Sequence, residues 1–173
     1  DPNPGVNDPP IVTAPATVPA ELGLALVMNG ARTITVADPD AFNATISVTV
    51  SAPNATFTLP VSPGLIAAPG TGSITITGSQ AAINTALPSL SVTFTETGAI
   101  TMTVLADDLG QTPAPALTAT AAIAATVVDT TPPVITLPTA CEYSMIGSTS
   151  GPNAGGTEVT LSCAPSRFAS RSS

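Results

Sequence analysis

Histidine, lysine and tryptophan are all absent from this 173-residue chain, and aromatic side chains make up only 3% of it. Without histidine or lysine, the many serines and threonines have no base to activate them as nucleophiles. Paired carboxylates could still cleave a glycoside, but that chemistry needs a cleft and usually a sugar-stacking surface, and the chain offers one tyrosine and four phenylalanines. No catalytic residue is therefore assigned, and an enzyme is not expected. The basic residues are Arg32, Arg167 and Arg171 alone, too few to neutralise a phosphate backbone, which excludes nucleic acid. No run of about 18 apolar residues occurs, so no membrane insertion by this segment is expected. The opening "DPNPGVNDPP" has neither the basic nor the apolar region of a signal peptide, and no initiator Met precedes it; these features point to a mature or excised segment.

Charge is scarce too. Charged residues are 8% of the chain against 43% hydrophobic, with a net charge of -8, so solubility must come from Thr and Ser and from that excess of negative charge. Many β-branched residues sit in alternating runs, which supply the apolar surface that a disordered chain lacks.

Those runs carry the fold. Ile34 and Val36, then Ile46, Val48 and Val50, then Ile74 and Ile76, Val92 and Phe94, and Ile100, Met102 and Val104 recur with period two, mostly between hydroxyl residues. Such spacing predicts half-buried antiparallel strands. Further strands are expected at 11–17, 22–28, 57–59 and 117–128. In "MNGA", Asn29 and Gly30 suit a tight hairpin turn. One stretch, "GSQAAINTALPSL", has Ile83, Leu87 and Leu90 at helical spacing, with Ser79 to cap and Pro88 to stop a short helix. Many short strands between Pro and Gly turns predict a β-sandwich. The expected organisation is a linker over 1–9, a sandwich over 10–129, and over 130–173 a proline linker, "DTTPPVITLP", with a partial β module or tail.

Cys141 and Cys163 are the only cysteines. Zinc would need ligands that this chain cannot give. A mutual disulfide, worth roughly 3 kcal/mol in the chain-entropy model, is the leading expectation, and two free or intermolecular thiols are the rival. Asn43 and Asn54 each open an "NAT" triplet that could accept an N-glycan in a eukaryotic secretory pathway. Asp8, Asp38, Asp40, Asp107 and Asp108 stand beside prolines or a glycine-bearing turn, where a short carboxylate readily caps backbone amides.

The order "NDPP", "VADPD", "TISVTVS", "GSITITGSQAAINTALPSLSVTF" and "ITMTVLADDLG" resembles the cadherin-like and immunoglobulin-like repeats of large extracellular adhesins. The likeness runs from Asn7 to Asp129, its most specific part being Gly78, Ile83, Asn84, Leu87 and Leu90. It implies an all-β, immunoglobulin-like (cadherin-like) antiparallel sandwich with one short helix, acting as a non-enzymatic structural repeat at the cell surface. It also implies calcium at Asp8, Asp38, Asp40, Asp107 and Asp108, with Glu21 as a further candidate; the motif set is incomplete, one Glu-containing motif and the long acidic linker string being absent. The implied partners are neighbouring repeats or other copies, and a surface glycan or protein ligand. Two alternatives stand beside it. One is a self-assembling subunit of a glycosylated extracellular filament, such as an algal flagellar hair (mastigoneme-like). The other is a carbohydrate-binding sandwich.

Overall fold

A computed structural model describes residues 6–110 and 115–132. The chain divides into one unit over residues 1–130 and a second over 131–173. Cys141, Cys163 and the expected tail strand fall outside the described residues.

The described chain is mostly β, with one short helix. The strands are β1 (Ile11–Thr13), β2 (Thr17–Glu21), β3 (Ala25–Val27), β4 (Thr35–Ala37), β5 (Thr45–Thr58), β6 (Leu65–Pro69), β7 (Thr71–Ser79), β8 (Ser91–Phe94), β9 (Gly98–Asp107) and β10 (Thr118–Val128), and the helix is α1 (Gln80–Ala86). One large sheet runs in the order β2-β10-β9-β5-β7-β6, with β8 joining β3 to β5, while β1 and β4 form a separate ribbon. The alternating residues read from sequence are the buried ones: Ile34, Val36, Ile46, Val48, Val50, Ile74, Ile76, Val92, Phe94, Met102 and Val104 are all at most 1% exposed. Together with residues from both sets of strands they form one continuous apolar cluster.

β5 is long because it changes partners. On one side it passes from β9, paired through Ser51, to β8, paired with Ala55–Thr58, while on the other it keeps β7, through Ser51 and again at Thr56 opposite Thr71. Between them Pro53 has no amide to donate and Asn54 adopts the left-handed conformation at φ 53°, so the ladder breaks and the buried phase moves from Ala52 to Ala55 and Phe57. That is the work of a bulge: unpaired residues that bend a strand.

Four expectations fail. The sheet is not purely antiparallel, because β2 lies parallel to β10, pairing Thr17–Glu21 with Ala124–Val128. Pro15 lies in the break where the expected strand over 11–17 divides, the chain leaving the β1–β4 ribbon before it enters the large sheet as β2. Asn29 and Gly30 do not make a hairpin. Gly30 takes φ 57° but opens a 3-10 turn over Gly30–Arg32, closed by Arg32 N–H donating to Asn29 O at 2.9 Å. β3 then pairs with β8 and β4 with β1; packing against β8 outweighs the local turn preference. Last, the expected strand over 22–28 shrinks to Ala25–Val27, since Leu24 N–H donates to Glu21 O at 3.2 Å in a turn with Gly23 at φ 72°. The helix forms as expected: Ser79 Oγ accepts from Ala82 N–H at 3.3 Å. Pro88 ends it inside a 3-10 turn, Leu87–Ser89. No helix among the described residues is long and apolar enough to cross a membrane.

Gly78 sits between β5 and β6, opposite Ile46 and Leu65. A Cβ there would lie 2.5 Å from Leu65 Cδ2 and 2.8 Å from Gly64 O. The leucine tip can swing away, but the carbonyl belongs to the backbone. Gly78→Ala is therefore expected to cost about 1–3 kcal/mol, read as a lower thermal midpoint by circular dichroism; an unchanged midpoint would mean that β6 yields freely.

Candidate functional site

Strand direction sends the aspartates to one end. β9 finishes at Asp107, opposite Thr118 at the start of β10 and Ser47 near the start of β5. β4 finishes at Ala37, opposite Ile11 at the start of β1, so Asp38 and the segment before β1 arrive at the same pole. Helix α1 begins there as well, because Ser79 pairs with Thr45.

The turn after β4 is built on Asp38. Its Oδ1 accepts from Asp40 N–H at 2.9 Å and from Ala41 N–H at 3.1 Å, the cap that an aspartate before a proline is suited to make. Asp108 organises the facing loop, its Oδ1 accepting from Gly110 N–H and Leu117 N–H, each at 2.8 Å. The segment before β1 ties the two together. Asn7 Nδ2 donates to Asp108 Oδ2 and to Pro115 O, both at 2.7 Å, and Asp8 N–H donates to Asp40 Oδ2. Asp107 lies alongside, its Oδ1 accepting from Leu109 N–H at 2.8 Å.

Two side chains of α1 hold the turn from behind. Asn84 accepts from Val36 N–H at 2.9 Å and donates to Val36 O at 2.7 Å, and Gln80 Oε1 accepts from Asp38 N–H at 2.7 Å. These bonds stand where a neighbouring strand's would.

Asn7, Asp38 and Asp108 are buried, at 8%, 6% and 0% exposure. Within this network Asn7 Oδ1, Asp8 Oδ2 and Asp38 Oδ2 are buried oxygens that no hydrogen bond satisfies. An orphaned buried oxygen is costly. The Asp38 carboxyl is pushed above its ordinary value of 3.8, first by burial and then by the charges of Asp108 and Asp40, against the lowering pull of the Asp40 and Ala41 amides.

The expected ligands thus divide. Asp8, Asp38, Asp40 and Asp108 are joined by hydrogen bonds, directly or through Asn7, and Asp107 adjoins them. Glu21 does not belong: its Oε1 accepts from the Thr130 hydroxyl at 2.9 Å, and it faces Val128 at the far end of β10. Among the described residues no three Asp, Glu, His or Cys side chains form a ready metal cage. Asn7 is the residue that sequence reasoning passed over; in "NDPP" it reads only as a turn former, and its burial follows from the long-range contact with Asp108. Asn43 and Asn54 are both exposed. Asn43 lies in the turn before β5, and Asn54 at the bulge, where its Nδ2 donates to Glu96 Oε2 at 2.6 Å.

Two outcomes test this geometry. Asn84→Ala strips both backbone groups of Val36 of their partner and is expected to cost about 1–3 kcal/mol, with Asn84→Asp, which keeps the acceptor alone, falling between. For Asp38, a pKa raised by folding favours the native state fully below the unfolded value near 3.8, and that contribution is lost as pH rises through the folded value. Without added metal, Asp38→Asn is therefore expected to melt above the parent at neutral pH and level with it in acid. A variant that melts lower at neutral pH would contradict the assignment. Comparison with known proteins leaves the pole to be read from its own chemistry: no family model, no curated protein and no solved structure matches the chain.

Proposed function

We propose that this chain is a non-enzymatic structural repeat of a large extracellular adhesin or surface filament, an immunoglobulin-like (cadherin-like) β-sandwich that holds length and shape. The observation that carries the reading is the acidic pole, where the incoming segment is bonded across both carboxylate loops and three buried oxygens lack partners. Calcium takes six to eight oxygens, amide and backbone carbonyls among them, and the donors here are of that kind. Asn7, Asp8, Asp38 and Asp108 would hold it, with Asp40 and Asp107 alongside. The ion would supply charge neutralisation and a fixed joint between the incoming segment and the unit. Extracellular placement rests on the two exposed sequons and on a surface with little charge.

The carbohydrate-binding alternative is disfavoured, since Phe57 and Phe94 are buried and Phe42 is the one exposed aromatic ring among the described residues. Lateral self-assembly through the β2 and β6 edges is disfavoured as well. The edge strand β2 carries Pro19 and the edge strand β6 ends at Pro69, and proline denies an edge the amide that a new strand would need.

A ligand that binds only the native state raises stability by about 2.7 kcal/mol at a hundredfold excess over its Kd. Calcium added to chelator-treated protein is thus expected to raise the thermal midpoint by several degrees, and Asp38→Asn to abolish the rise while leaving the metal-free protein folded. A midpoint indifferent to both calcium and chelator would remove calcium from the reading.

A further inference from the structure

Three exposed apolar side chains crown the acidic pole, one on each segment that builds it. Phe42 is 81% exposed, Leu109 49% and Val6 49%. Leu109 follows Asp107–Asp108 and Val6 precedes Asn7 directly in sequence, and Phe42 stands two residues after Asp40. Phe42 and Leu109 hold left-handed backbone, at φ 41° and 58°, conformations that bulky residues rarely adopt. The other end of the unit is apolar in a different shape. There a shallow groove is lined by Pro19, Glu21, Leu24, Val27, Arg32 and Val128, of which Leu24, Val27 and Val128 are 61%, 37% and 45% exposed. Its two charges are not equivalent. Glu21 is bonded to Thr130, whereas Arg32, the one cation among the described residues, makes no ion pair among them. The ends lie roughly 33 Å apart, the length of β10 at about 3.3 Å per residue.

We propose that copies of this unit associate end to end, the Val6, Phe42 and Leu109 knob of one seated in the Leu24, Val27 and Val128 groove of the next, with Arg32 facing the aspartates. A projecting apolar knob matches an apolar groove, the aspartates supply the counter-charge that Arg32 lacks, and the prolines of β2 and β6 make those two edges poor competitors. Joining unlike ends leaves one knob and one groove free in every pair, so the contact is heterologous and growth passes the dimer. The inference deepens the structural-repeat reading and does not require the cation.

The test is sedimentation equilibrium of the full chain in chelator, from about 10 μM to about 1 mM, where weak contacts register. The average mass is expected to rise without levelling at a dimer. Phe42→Asn keeps a residue tolerant of left-handed backbone and removes the knob, and Arg32→Glu reverses the groove's charge; each is expected to weaken association about tenfold or more. Mixing the two variants is the decisive arm, because each retains one sound end. The mixture should give dimers that grow no further, from the Arg32→Glu knob in the Phe42→Asn groove. A chain monomeric throughout, a parent that stops at a closed dimer, or variants that associate like the parent would overturn the proposal. A calcium-dependent midpoint with no association would do so while leaving the repeat reading standing.

Discussion

Asn84 bonded to both backbone groups of Val36 is the interaction on which the described end of the molecule depends. A strand as short as β4 has β1 on one side, and its other side needs a partner. Helix α1 provides one with side chains. Gln80 and Asn84 are four residues apart, about 6 Å along a helix, while Val36 and Asp38 are two apart, about 6.6 Å along a strand. The two periods nearly coincide, so one helical turn satisfies two rungs of a missing ladder. The second rung is Asp38 N–H, where the acidic turn begins. The carboxylate loop is thus positioned by the same contact that seals the edge.

That dependence explains why the sequence was legible in some places and opaque in others. Period-two runs reported burial directly, because each strand with one face on the core must alternate, and Ser79 with Pro88 marked the helix for local reasons. Parallel pairing of β2 with β10 was not legible, since a three-residue strand, a proline break and a five-residue strand look the same whichever way the second one runs. The turn at Gly30 misled because Asn-Gly favours a hairpin only when nothing better awaits the flanking strands, and β8 was better. At the pole, Asp38 and Asp108 could be named from their turns. Asn7 could not, since its role comes from a partner 101 residues away.

A low-charge chain must also avoid sticking to itself. Here Thr49 and Thr75 bond across the sheet from β5 to β7 at 3.0 Å, so the outer face is polar there without being charged. The β2 and β6 edges carry proline, and the bulge at Pro53 and Asn54 turns β5 away before it could extend a flat ladder. These devices act on the sides of the molecule. At the ends of the unit Val6, Phe42, Leu24 and Val128 stand in the open, and on the side Ile66 of β6 does so too.

The distribution of acid gives the same asymmetry an energetic form. With so few charges, five aspartates could have been spread over the surface, where each would be solvated. Instead they meet at one end, two of them buried, and Asp38 is held where its ionised form is disfavoured. At Asp38 the burial cost of the ionised form outweighs the pull of the two amides that it caps. Hydrogen-bonded turns explain one oxygen of Asp38 and leave the other without a partner. The same lack of a partner recurs at Asn7 Oδ1 and Asp8 Oδ2, so the burial cost of the pole is concentrated on oxygens that the turns themselves do not use.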